Sequence, residues 1–221
     1  MTSAPQKKYW TFEEYLEFDR NSDEKWEYLD GEVFQVFAMA GASPDHSLIT
    51  SNVNRAFGNL LEGKNCRVYS SDLRGKRGLY KYAYSDVTIV CGKSEFDDIT
   101  LLNPILIVEV LSPATEKYDR GDKAQQYRRL ASLQAYLLIA QDRVSIELHE
   151  RQANGQWLIT DAIELDTHLE VTLPCLKAGA SERRLRLPSP YGVGRGATLS
   201  FTDASHPFCI KTRLRMSIAA L

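Results

Sequence analysis

Residues 103–123 read NPILIVEVLSPATEKYDRGDK. Ile105, Leu106, Ile107, Val108, Val110 and Leu111 form an apolar run rich in β-branched side chains. That is the pattern of a strand covered on both faces. Glu109 sits inside it. An ionised carboxylate there costs several kcal/mol unless a cation or hydrogen bonds compensate it. The strand therefore raises two questions at once, what covers it and what neutralises its acid.

Working outward, DRGDKAQQYRRLAS (119–132) reads as a helix with Asp119 as its cap and Lys123, Tyr127 and Leu130 along one side. Upstream, YAYSDVTIVC (82–91) and CRVYSSDL (66–73) read as strands. Farther back, SPDHSLITSNVNRAFGNLLEG (43–63) is a long helix, with Ser43 as N-cap, Pro44 at the first position and Gly63 as its stop. KWEYLDGEVFQVFA (25–38) is a hairpin turning at Asp30-Gly31, and Thr11 with Glu14 forms a capping box for a first helix. Downstream, AYLLIAQ, VSIELHERQ and QWLITDAIEL are strands, the last two joined at Asn154-Gly155, and LEVTLP is a further candidate. The order predicts an α/β or α+β core in which a mixed sheet is flanked by helices.

A chain of 221 residues is most simply one domain with room for an appendage. Its 43% hydrophobic and 25% charged content is that of an ordinary soluble globular protein. No apolar stretch approaches the roughly 18 residues of a membrane span. The amino-terminal sequence has no apolar signal core, so a cytoplasmic location is expected. Cys66, Cys91, Cys175 and Cys209 form no CxxC pair, which argues against zinc and for free thiols. Residues 175–221 carry eight Lys/Arg and two Asp/Glu, a balance of +6, against 19 basic and 27 acidic side chains in residues 1–174. The body is thus acidic at −8 and a poor general polyanion binder. The Gly-, Ser-, Pro- and Arg-rich tail reads as a loosely ordered basic extension.

Glu109 acquires a partner in Asp86, which opens the strand carrying Val87, Ile89 and Val90. If the two strands are neighbours, both carboxylates reach one sheet edge. Hard cations such as Mg²⁺ or Mn²⁺ are held by one or two carboxylates plus waters. Such an ion would compensate Glu109, activate water and stabilise charge developing on a phosphate. A lysine nearby would complete a phosphodiester hydrolase. Leu111, two residues beyond Glu109, cannot serve, whereas Lys123 at the start of the next helix can reach back. Gln126 and Tyr127 are auxiliary polar candidates on that helix, although such residues more often pack or solvate. His46 could contact phosphate or act as a base, but a surface position at its helix end is the simpler reading. Asp72 reads as a turn residue, and His149, His168 and His206 have no evident partner. A buried structural ion pair for Glu109 and an i,i+4 pair of Lys123 with Asp119 are the structural alternatives.

With these residues in place, the spacing YSD to EVL and a basic residue displaced to the following helix resemble the PD-(D/E)XK nuclease superfamily. More closely, WEYLDGEVFQVFAMAGASPDHSLI, CRVYSSDLRG, YSDVTIVCG, LLNPILIVEVLSPATEKYDRGDKAQQYRRLASLQAYLLIAQDR and VTLP resemble the Uma-two family of putative restriction endonucleases. The likeness runs nearly continuously from about residue 10 to residue 174. It implies a restriction-endonuclease-like core, a homodimer, and a metal-dependent endonuclease acting on nucleic acid, with DNA as the expected substrate. By position it makes Asp86 and Glu109 metal ligands, Lys123 the displaced catalytic lysine and Glu27 a further acid at the metal. Ser85 stands where the superfamily's name has proline, and residues 175–221 replace the short acidic, apolar helix of relatives. The competing expectation is a non-catalytic binding or scaffold protein that keeps the fold.

Overall fold

A computed structural model of the chain describes residues 9–35, 43–78 and 81–162, together with the backbone of four later strands. Along the chain come α1 (Phe12–Arg20), β1 (Trp26–Leu29), β2 (Glu32–Gln35) and α2 (Pro44–Leu61). Then follow β3 (Cys66–Ser70), β4 (Arg74–Gly78), β5 (Lys81–Tyr84), β6 (Val87–Cys91), β7 (Phe96–Asp97), β8 (Thr100–Leu101) and β9 (Leu106–Leu111). A helical passage comprises α3 (Glu116–Tyr118), a π-helical turn (Asp119–Lys123) and α4 (Ala124–Tyr127). The last strands are β10 (Ala135–Ala140), β11 (Ile146–Arg151), β12 (Trp157–Ala162), β13 (His168–Leu173), β14 (Arg183–Arg186), β15 (Thr198–Phe201) and β16 (Thr212–Ser217).

Two mixed six-stranded sheets carry the architecture, ordered β2-β1-β5-β4-β8-β7 and β12-β11-β10-β9-β6-β3. The second is antiparallel except for the parallel pair β9–β10. β9 is buried at every position, as its composition requires. Its residues alternate between two apolar layers. Leu106, Val108 and Val110 pack with Val53, Phe57 and other residues of α2, while Ile107 and Leu111 pack with Tyr127 and Tyr136 on the opposite face. Full burial of each of these side chains stabilises the fold by roughly 1.5–3 kcal/mol. Glu109 falls between Ile107 and Leu111, on the side of the short helices.

Local signals account for several boundaries. Thr11 accepts from the Glu14 amide while the Glu14 carboxylate accepts from the Thr11 amide, a complete capping box. Ser43 accepts from the His46 amide at the start of α2. The β1–β2 turn places Asp30 at φ +48° and Gly31 at φ +95°, the left-handed pair a two-residue hairpin requires. A Cβ on Gly31 would also press against the Tyr9 ring at 3.3 Å.

Three sequence expectations are corrected. YAYSDVTIVC is two strands, because β5 pairs in the first sheet and β6 in the second, with the chain crossing between them at Ser85-Asp86. Asp119 does not cap its helix; the helical passage begins three residues earlier, and Asp119 opens the π-helical turn within it. Cys66 and Cys91 lie opposite each other in the β3–β6 ladder and are joined in a disulfide, so they are not free thiols. The tail contributes β14 and β15, paired with each other, and β16, paired with β13. The expectation of a loosely ordered extension otherwise falls outside the described residues.

Candidate metal and phosphodiester site

β6 and β9 are antiparallel neighbours with Val87 opposite Val108. Continuing that register by one residue sets Asp86 opposite Glu109, on the same face of the sheet. The two acids therefore face each other between inner strands, Asp86 just before β6 and Glu109 within β9, not at a sheet edge as the sequence suggested. Glu109 is 4% exposed, whereas Asp86 is half-buried. One Asp86 oxygen, Oδ2, accepts from the Val110 amide at 2.7 Å and lies 3.4 Å from His46 Nε2. The bond to Asp86 holds the His46 imidazole's pKa above its ordinary value, against the opposing effect of burial. His46 thus turns inward from the first turn of α2 and is not the surface residue the sequence favoured.

Lys123 enters from the opposite side. Its Nζ lies 2.8 Å from Glu109 Oε1 and 3.2 Å from Asp119 Oδ1, and all three side chains are almost fully buried. The π-helical turn brings Asp119 and Lys123 to this point together, a widened geometry often found at functional sites. Tyr127 donates from its hydroxyl to Glu109 Oε1 at 3.4 Å. Tyr136 donates to the Asp119 carbonyl at 3.1 Å, tying the turn to β10. Gln126 is buried, and its Oε1 has no hydrogen-bond partner.

Three carboxyl groups, Glu109, Asp119 and the adjacent Asp86, face the Lys123 ammonium and, at Asp86, the His46 imidazole. Burial, and after it Asp119 and Asp86, push the Glu109 carboxyl well above the usual carboxylate range, although Lys123 opposes them. Burial alone would lower Lys123, but Glu109 and Asp119 outweigh it and raise its pKa, so Lys123 stays protonated. What remains is a buried group of oxygen donors faced by the Lys123 ammonium and, at Asp86, by the His46 imidazole.

Glu27 is placed differently. Its Oε2 accepts from Arg77 Nη1 at 3.3 Å and from the Tyr118 hydroxyl at 3.5 Å. Among the described residues no group of three His, Cys, Asp or Glu side chains is arranged to hold a metal ion. The donor set that fits is the pair Asp86 and Glu109, both hard oxygen ligands. Mg²⁺ is often held by such a pair, with waters and substrate phosphates filling its other positions.

The i,i+4 pair of Lys123 with Asp119, a structural alternative in the sequence, is present alongside the pair with Glu109, whereas sequence reasoning missed Arg77 and Tyr118 altogether. His149 also has a partner, with Nε2 2.6 Å from Glu147 Oε1, but it belongs to a separate cluster on β11.

The model of the family Uma2, described as "Putative restriction endonuclease", matches residues 12–181. The chain belongs to the Uma2 family. Two proteins of Synechocystis sp. (strain PCC 6803), both named as uncharacterized, are similar to it. One, slr1290, is 38% identical over 160 residues, covering 69% of this chain and 83% of its own. The other, sll1609, is 31% identical over 164 residues, covering 72% and 91%. In three dimensions this Uma2 chain is similar to the crystal structure of a "putative nuclease belonging to DUF820" from Anabaena variabilis ATCC 29413. The TM-score is 0.60 at 18% identity, covering 72% of this chain and 88% of that one. The mixed α+β architecture of this Uma2 protein is thus restriction-endonuclease-like. No helix among the described residues is long and apolar enough to cross a membrane.

Proposed function

We propose that this Uma2 protein is a Mg²⁺- or Mn²⁺-dependent endonuclease that hydrolyses phosphodiester bonds in DNA. One observation carries the reading: Asp86, just before β6, continues the register opposite Glu109 of the neighbouring β9, and a buried ammonium lies 2.8 Å from Glu109. Asp86 and Glu109 would hold the ion. When bound, a divalent cation polarises a phosphoryl oxygen and lowers the pKa of water. Lys123 stays protonated and would donate a hydrogen bond to the attacking water's oxygen or to the phosphate oxygens on which charge develops. Tyr127 holds Glu109 in its rotamer, and the Val110 amide does the same for Asp86. Glu27 we leave with Arg77 rather than on the ion. His46, against Asp86, is positioned as an auxiliary group. The protein would act as a homodimer, which light scattering would read directly.

Glu109→Gln keeps shape and volume while removing the charge. The expected outcome is loss of Mn²⁺ binding by calorimetry and of plasmid nicking, with unchanged circular dichroism. If the wild type neither binds Mn²⁺ nor nicks any nucleic acid, the nuclease reading falls. One observation favours the rival, a binding or scaffold protein on the same fold: Lys123 pairs with both Glu109 and Asp119, which by itself compensates the buried Glu109. A folded wild type that binds DNA but ignores divalent ions would support it.

A further inference from the structure

Arg77 is fully buried in β4, yet its Nε and Nη2 atoms have no hydrogen-bond partner. Native folds rarely leave a buried guanidinium half-satisfied. Nη1 donates to Glu27 Oε2 at 3.3 Å, and the Tyr118 hydroxyl also bears on the guanidinium. The two free atoms form one edge of the guanidinium, the edge that grips an oxyanion with two parallel N–H bonds. Arg77 also sits where β4 breaks register. Lys76 pairs with Tyr82 and Gly78 with Lys81, so Arg77 is the extra residue of a bulge. Bulges re-aim a side chain, often beside active sites. Here the side chain is re-aimed toward the site: Tyr118, the residue preceding the π-helical turn, has its ring 5.5 Å from the guanidinium carbon and its hydroxyl on the same Glu27 oxygen. Glu27 in turn is close enough to raise the Lys123 pKa.

We propose that Arg77 is a phosphate-binding residue of this nuclease site, its Nε–Nη2 edge taking two oxygens of a substrate phosphate while Glu27 fixes the guanidinium through Nη1. The inference rests on the nuclease reading and adds a substrate contact that neither the acids nor Lys123 provides. Tyr118 and Glu27 lie against the guanidinium, so the phosphate reaches that edge as the Tyr118 ring moves aside. A lysine in place of Arg77 would keep the charge opposite Glu27 but lose the fork.

The test uses the full chain, a fluorescein-labelled DNA duplex and Ca²⁺ in place of Mg²⁺, read by anisotropy over a range of NaCl. Arg77→Lys and Arg77→Met are both expected to weaken duplex binding about tenfold. Arg77→Met is also expected to lower the slope of log K against log[salt] by about one contact. Calorimetric Mn²⁺ binding in the absence of DNA stays at the wild-type value in Arg77→Lys, whereas Glu109→Gln loses Mn²⁺ and keeps Arg77-dependent duplex binding. Should Arg77→Met fail to fold, Arg77→Lys alone decides. Duplex affinity of Arg77→Lys within twofold of wild type would mean that the free edge holds only a structural water, and would overturn the proposal. If the wild type binds no duplex, inorganic phosphate becomes the probe. Thermal stabilisation of the wild type but not of Arg77→Lys would preserve the anion site without the nuclease, and no stabilisation of either would end both.

Discussion

In the first sheet Arg74 donates to Asp19 and to Thr100 Oγ1, and Tyr84 donates to the same Asp19 oxygen. In the second, Lys123 alone faces Glu109 and Asp119, with Asp86 beside them. Both clusters are buried and both pair carboxylate with cation, but their charge balances differ. Around Arg74 one cation meets one anion, neutral hydroxyls fill in, and the Tyr15 ring lies against the guanidinium. That cluster fastens α1 to β4 and needs no further ion, although Arg74 Nη2 keeps no partner. Around Lys123 one cation meets two buried acids, with Asp86 and its partner His46 alongside. A buried polar group becomes a candidate for function when its own neighbours leave it unbalanced, and burial by itself does not distinguish the two.

The comparison breaks most easily under substitution of the two cations. Arg74→Met strands Asp19 in a dry interior and is expected to cost about 3–5 kcal/mol, the usual penalty for breaking a buried pair. Divalent ions should restore none of it. Lys123→Met also destabilises, but Mn²⁺ can replace part of the missing charge on Glu109 and Asp86. At a hundredfold excess over its dissociation constant, a ligand restores about 2.7 kcal/mol. Urea titrations with and without Mn²⁺ separate the two behaviours, and equal rescue of both variants would erase the difference between the clusters.

Neutralising one acid in each cluster should give effects of different size and, at the limit, different sign. Asp19→Asn leaves Arg74 buried with its charge uncompensated and is expected to cost about 3 kcal/mol. Asp119→Asn removes a negative charge beside Glu109, while the Asp119 carbonyl that Tyr136 uses is untouched. Its metal-free stability should therefore change by less than about 1 kcal/mol and is free to rise. Chemical denaturation of the two variants checks the pair, and a large loss in Asp119→Asn would show that Lys123 needs both carboxylates.

These clusters were unequally legible in the sequence. Glu109 stood out because a lone acid in an apolar strand violates the local pattern, and Asp86 and Lys123 followed from chemistry that needs a second acid and a nearby cation. The capping box at Thr11 and the Asp30-Gly31 turn were equally plain, since their partners lie within three residues. Arg74, Arg77 and Asp19 were invisible. RGKRG at 74–78 looks like an exposed polar segment, and Asp19 pairs with Arg74 across 55 positions of sequence. The Cys66–Cys91 pairing depends on strand register in the same way, with 25 residues between its cysteines. The π-helical turn leaves no periodicity signature, because five residues with the wider pitch fit either helix pattern. Local rules expose what satisfies itself locally; tertiary pairing decides the remainder.

A third cluster offers the smallest and finest comparison. Glu147 on β11 accepts from Arg120 and pairs with His149, so like Asp19 it is an acid held by its own partners. The hydrogen bond with His149, more than the Arg120 charge, holds its carboxyl below the usual range. A carboxylate whose folded pKa is depressed adds stability above its unfolded pKa and loses it as pH falls through the folded value. Glu147 should therefore contribute at neutral pH and nothing in strong acid. Being only half-buried, it is worth about 1 kcal/mol at most. Glu147→Gln should flatten the acid limb of stability against pH by that amount and leave the neutral-to-alkaline limb parallel to wild type. Arg120 bridges Glu147 to Glu116 of α3, so the same variant also tests whether this clasp steadies the helical passage that presents Lys123. A flattened acid limb with unaltered Mn²⁺ affinity would make Glu147 a fastening of the Asp19 kind. Weakened Mn²⁺ binding would join it to the Lys123 cluster instead.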